Sequence, residues 1–233
     1  MQSCEKKQKT GATTFEKLPY VFEVDGNALK LKGGGDTESP VVDPINGAVV
    51  TKIVLSGLAD VPSRFQMELN ALLGLLAITC PNVVELDLSG VHSLDPSTVA
   101  QAFPNLTSLG LYGTSVRLQD VVEFGKAYPN LAALDVSCCR NFSTLGFLEF
   151  FGNLRTLAAN YLNLDSIQEW RHLGHLQHLQ HLSAGAAQPG SKNGFRQDQA
   201  DLAIGEEYVG PHAAVVLQSL PNGLDLKSLQ VFK

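Results

Sequence analysis

A chain of 233 residues with 44% hydrophobic and 17% charged residues can fill one sizeable core or an elongated repeat domain. Its net charge of −6 and pI near 5.5 argue against direct nucleic-acid readout, which needs a clustered basic face. The longest nearly apolar run, Ala71 to Ile78, falls well short of the ~20 residues that cross a bilayer.

Residues 1–19 carry lysines but also Glu5 and Glu16, have no signal-peptide h-region, and read as a polar N-terminal tail. Residues 20–47 read as a hairpin cap and linker. Two short alternating runs flank Asp25-Gly26-Asn27, a strong hairpin signal, and GGGDTESP at 33–40 has linker composition. Gly33-Gly34-Gly35 lacks the Lys-Ser/Thr of a phosphate loop. Phe65, Leu69, Leu72, Leu73 and Leu76 then form an apolar stripe at helical spacing, predicting an amphipathic helix from about Pro62 to Thr79.

From Cys80 onward one phrase recurs: PNVVELDL, PNLTSLGL, PNLAALDV, GNLRTLAA. Its first apolar positions are Val83, Leu106, Leu131 and Leu154, and Leu179 opens a fifth unit. These positions lie 23, 25, 23 and 25 residues apart, the signature of a stacked repeat in which no unit buries its apolar face alone. A strand should lay three apolar side chains inward in each unit, and a helix should return along the outside. Asp95-Pro96 is a helix start, and Phe103-Pro104 and Tyr128-Pro129 are helix stops. The remaining return helices are expected over 120–128, 144–151 and 165–172. Residues 48–233 are thus expected to form one repeat domain. It carries an inserted loop at 185–207, a helix at 211–220 and a last strand through Leu226, Leu229 and Val231. No helix is expected after that strand.

These motifs resemble the cysteine-containing subclass of leucine-rich repeats found in F-box/leucine-rich-repeat proteins. The matches are Cys80-Pro81-Asn82-Val83, and Leu131 through Leu134 and Ser137 to Cys139, with Thr114 in the cysteine's place one unit earlier. The fold class the resemblance implies is α/β, a short horseshoe-shaped solenoid with a parallel concave sheet and convex helices. The expected function is a non-enzymatic protein–protein interaction module, a structural or assembly subunit of a larger intracellular complex that binds through the concave sheet and terminal extensions. The bare last strand and the polar stretches 1–19 and 185–207 motivate it. The family analogy also offers a ubiquitin-ligase substrate adaptor or a small mitochondrial respiratory-complex coupling or assembly factor. An F-box is not expected, because Asp25-Gly26-Asn27 interrupts the stretch that would have to be helical.

On such a sheet the residues between the inward leucines face solvent. Glu85, Asp87, Ser108, Tyr112, Asp135, Asn160 and His181 are therefore the candidate partner contacts, with the acidic members favouring a partner that offers Lys or Arg. The expected partners are other proteins, with no small-molecule substrate. Asp87 and Asp135 lie two units apart, ~10 Å by strand spacing, with nothing expected to shift a pKa, so no catalytic residue is assigned. His172, His175, His178 and His181 recur every third residue, which invites a zinc or nickel reading. Three-residue steps drift around an α-helix and no nearby carboxylate or cysteine stands out. The expectation is a solvated helix end, with no metal and no cofactor. None of Cys4, Cys80, Cys138 and Cys139 forms a Cys-x-x-Cys, and adjacent Cys138 and Cys139 should point to opposite faces. They read as small hydrophobes in a reducing compartment, cytoplasmic in preference to mitochondrial.

Overall fold

The computed structural model describes residues 22–31, 46–56, 69–92, 94–141 and 143–184. The tail at 1–19, the 33–40 linker, the 185–207 insertion, the helix at 211–220 and the last strand at 226–231 lie outside them.

The described chain is an α/β structure built on one open eight-stranded sheet whose strands follow sequence order. Strands β1 (Phe22–Asp25) and β2 (Ala28–Leu31) form the expected antiparallel hairpin. Gly26 supplies a φ of +61° in its two-residue turn, a region only glycine enters freely. From β2 onward the pairing is parallel, through β3 (Lys52–Val54), β4 (Glu85–Asp87), β5 (Ser108–Gly110), β6 (Ala133–Asp135), β7 (Thr156–Ala158) and β8 (His181–Ser183). Ile53, Leu86, Leu109, Leu134, Leu157 and Leu182 pair in one register across these strands. Each of the six is buried while its two strand neighbours are half-exposed. Period-two alternation thus puts the leucines into the core and leaves the other face open.

The parallel connections carry helices α1 (Leu69–Thr79), α2 (Pro96–Ala102) and α3 (Leu118–Ala127). Leu69, Leu72, Leu73 and Leu76 of α1 are buried, as the stripe predicted. Asp95 caps α2, accepting from Ser97 N at 3.2 Å and from Thr98 Oγ1 at 2.6 Å, with Pro96 at the first helical position. The hydrogen bond from Thr98, with those from Ser97, holds the Asp95 carboxyl below its usual range. Phe103 and Tyr128 cap the C-termini of α2 and α3, each immediately before a proline.

The last two connections differ from expectation. Gly146–Phe150 and Ile167–His175 are 3-10 helices, where the repeat pattern predicted the return helices over 144–151 and 165–172. In the second of these the spacing gives the reason: buried Trp170, Leu173, Leu176 and Leu179 recur every third residue, and three residues per turn is the 3-10 period. Gly146–Phe150 buries Phe147 and Leu148, with Phe151 after them, at the places that Phe124, Gly125 and Tyr128 hold in the α3 unit, so burial spacing does not separate those two.

A single apolar cluster joins the inner sheet face to the helices. Its layers repeat: Cys80, Phe103, Tyr128, Phe151 and Leu176 occupy matching places, all buried. Close approach is required where α3 meets the next segment, since a Cβ on Gly125 would stand 2.6 Å from Phe150 Cβ. Cys139 donates to Leu111 O of the preceding unit at 3.0 Å and lies 3.5 Å from Thr114, which fills the equivalent site.

Candidate functional site

The open sheet face collects all seven predicted contact residues on its strands or just beyond them, with Asn160 part of a hydrogen-bonded row. Glu85 begins β4 and meets Lys52 of β3 at 3.2 Å. Ser108 and Gly110 of β5 lie between Glu85 and Asp87 on one side and Ala133 and Asp135 on the other. His181 begins β8, half-exposed, beside Thr156. Tyr112, at 48% exposure, is the large aromatic that the face presents to solvent among the described residues.

The two aspartates are anchored as well as acidic. Asp87 Oδ1 accepts from Ser89 N at 2.9 Å, and Asp135 Oδ1 accepts from Ser137 N at 2.8 Å. Each carboxylate therefore caps the turn that follows its strand. Gly110 between them keeps the row open, since a Cβ there would stand 3.0 Å from Asp87 Oδ1. Burial raises the Asp135 pKa above its ordinary value, hydrogen bonds from Ser137 oppose the rise, and the nearby Asp87 charge adds to it. The sequence expectation that nothing shifts a pKa here is thus corrected: the carboxylate is desolvated beside the core and faces a like charge.

Farther along, polar groups link the strands. Asn160 Nδ2 donates to Ser137 Oγ at 3.1 Å and to Ser183 Oγ at 2.9 Å. Ser137 is itself buried, so this row stiffens the face as well as decorating it. Tyr112 hydrogen-bonds to Cys138, and this contact and the sulfur's charge, with burial and Asp135, push its pKa up to about 12.

The turns after the strands show a pattern that sequence reading missed. Gly90, Gly113, Cys138 and Tyr161 hold matching places, with φ of +71°, +64°, +60° and +57°. Glycine enters this region freely, whereas a non-glycine residue there costs ~1–2 kcal/mol. The signal was available, since Gly90 and Gly113 fall 23 residues apart, directly after Ser89 and Tyr112. Cys138 is half-exposed and Cys139 buried, in keeping with opposite directions. Burial raises the Cys80 thiol to about 11 and the Cys139 thiol above its ordinary value.

The histidine row is also revised. In a 3-10 segment, residues three apart eclipse, so His172 and His175 do share a side and stack at 5.7 Å between ring centres. A carboxylate does stand near: Glu169 Oε2 is 3.7 Å from His172 Nε2. It also accepts from Thr144 Oγ1 at 2.6 Å and from Leu145 N at 3.1 Å, which ties the segment to the preceding unit. His178 and His181 lie beyond the segment, exposed and on β8 respectively. Among the described residues, no group of three or more His, Cys, Asp or Glu side chains is placed to hold a metal ion.

No protein-family model matches this chain. A search of curated proteins finds no match either. Among the described residues no helix is long and apolar enough to cross a membrane.

Proposed function

We propose that this chain is a leucine-rich-repeat solenoid working as a non-enzymatic protein–protein interaction module, with the open sheet face as its contact surface. The repeat reading is supported by six strands that pair through equivalent apolar residues at one register, the steps from Leu86 to Leu182 alternating between 23 and 25 residues after a longer first step from Ile53. The observation that carries the functional reading is the make-up of the open face. Short polar side chains leave room for another chain, Tyr112 stands exposed among them, and Glu85, Asp87 and Asp135 set an acidic character. Exposed tyrosine beside anchored polar groups is the composition of interface hot spots. The partner this face suits is a protein presenting Lys or Arg, which an overall charge of −6 would also steer toward it.

The test compares affinity capture from native extract by the tagged wild-type chain, Tyr112→Ala and Asp87→Asn. Asparagine keeps the acceptor for Ser89 N while removing the charge. A stoichiometric protein partner lost by Tyr112→Ala and weakened by Asp87→Asn, with unchanged melting of both variants, is the expected result. A partner retained equally by all three would remove the sheet face from the proposal.

A further inference from the structure

Away from the acidic row, where the chain enters β6, β7 and β8, a polar hollow of ≈ 350 Å³ is lined by Asn130, Ala132, Asn153, Arg155 and His178. Asn130, Asn153 and His178 hold the same place in successive units, and Ala132 and Arg155 hold the next place but one. The floor is fixed by backbone pairing: Arg155 N donates to Ala132 O at 2.8 Å, and Gln180 N donates to Arg155 O at 2.7 Å. Asn153 Nδ2 is held by Pro129 O at 2.9 Å. The methyl of Ala132 leaves depth that a larger side chain would fill.

The chemistry of the lining is one-sided. It holds no carboxylate, and among the described residues the guanidinium of Arg155 has no ion-pair partner. Arg155 offers five N–H donors in a fork that matches a carboxylate, Asn130 offers an amide, and His178 offers a ring N–H in any protonation state. In a chain of net charge −6 this is a locally cationic, donor-rich recess beside an acidic face. We propose that the hollow receives a carboxylate side chain from an acidic segment of a partner polypeptide, with Arg155 as the anchoring cation. The polypeptide nature of the ligand rests on the interaction-module reading above. The preference for an anion rests on the hollow alone. A partner engaging both regions would place basic residues toward Asp87 and acidic ones toward Arg155, which fixes its direction along the sheet.

The test is fluorescence anisotropy of a dye-labelled hexaglutamate peptide with the full chain at low salt, with inorganic phosphate measured separately. The expected result is binding that weakens as salt rises. Arg155→Gln should weaken it about tenfold or more, because a bidentate charge-assisted contact is lost. Arg155→Lys should fall between the two. Ala132→Leu, which keeps every charge but fills the floor, should weaken binding too, whereas Tyr112→Ala should leave it unchanged. Absence of hexaglutamate binding, or equal binding by wild type and Arg155→Gln, would overturn the proposal. Loss on Arg155→Gln with none on Ala132→Leu would reduce the effect to diffuse surface charge and overturn the hollow as the site. Phosphate binding without hexaglutamate binding would overturn the polypeptide ligand. Failure of the sheet-face reading would show separately, as partner capture indifferent to Tyr112→Ala.

Discussion

Between β3 and β6 the chain returns through α-helices, and between β6 and β8 it returns through 3-10 helices, yet the strands on both sides pair in one register. Geometry explains the equivalence. The seven residues of α2 span ~10.5 Å at 1.5 Å each, and the five of Gly146–Phe150 span ~10 Å at 2.0 Å each. Both belong to 23-residue units, and the longer α3 and Ile167–His175 belong to 25-residue units. The sheet sets the register, and the return segment takes either helix type so long as it spans the required distance.

Substitutions can sharpen or break this contrast. The junction between the two halves is α3 against Gly146–Phe150, and Gly125→Ala would force a Cβ into Phe150. Thermal melting should show a loss of ~1–3 kcal/mol from overpacking; a neutral result would mean the two return segments are not tightly docked. The caps should separate the halves next. Asp95→Ala at α2 should cost ~1 kcal/mol in denaturant titration, and Ser166→Ala, which removes a single bond to Gln168 N, should cost less. Equal costs would show that the 3-10 half depends on its cap as the α half does.

Asp135 gives a smaller, pH-dependent effect. Its folded pKa lies above the ordinary 3.8, so the folded state binds the proton more tightly than the unfolded state. Ionisation therefore lowers stability as pH rises from the ordinary range through the raised value. Asp135→Asn should match or exceed wild-type stability near neutral pH, and its relative advantage should shrink as pH falls through that window. An advantage that grows on acidification would reverse the sign and contradict the burial cause. Smallest of all is Tyr128→Phe. The Tyr128 hydroxyl is buried without a hydrogen-bond partner among the described residues, so its removal should be neutral or slightly stabilising by chemical denaturation. A clear loss of stability would reveal a partner for that hydroxyl.

Much of this architecture was legible in the residues. Leu86, Leu109, Leu134 and Leu157 announced their pairing through a recurrent phrase, because side-chain burial dictates strand register. Asp95-Pro96 and Asp25-Gly26-Asn27 carried local signals strong enough to place a cap and a hairpin. The 3-10 segment Ile167–His175 was missed although Trp170, Leu173, Leu176 and Leu179 displayed a period of three. A repeat template favoured α-helices and the shorter period went unread. The left-handed turns at Cys138 and Tyr161 were hidden because their glycine counterparts lie one and two units earlier. At the candidate site the positions of Asp87, Asp135 and Tyr112 followed from alternation. The desolvation of Asp135, the Asn160 row and the hollow around Arg155 depend on which side chains lean together, and alternation does not carry that information.

The most direct measurement of the central claim is the paired unfolding of Leu109→Ala and Ser108→Ala, adjacent residues on β5 that face opposite ways. The account predicts a loss of ~2–5 kcal/mol for the buried leucine and almost none for the half-exposed serine. Equal tolerance at both positions, or the larger loss at Ser108, would contradict a sheet with one face in the core and the other free for a partner.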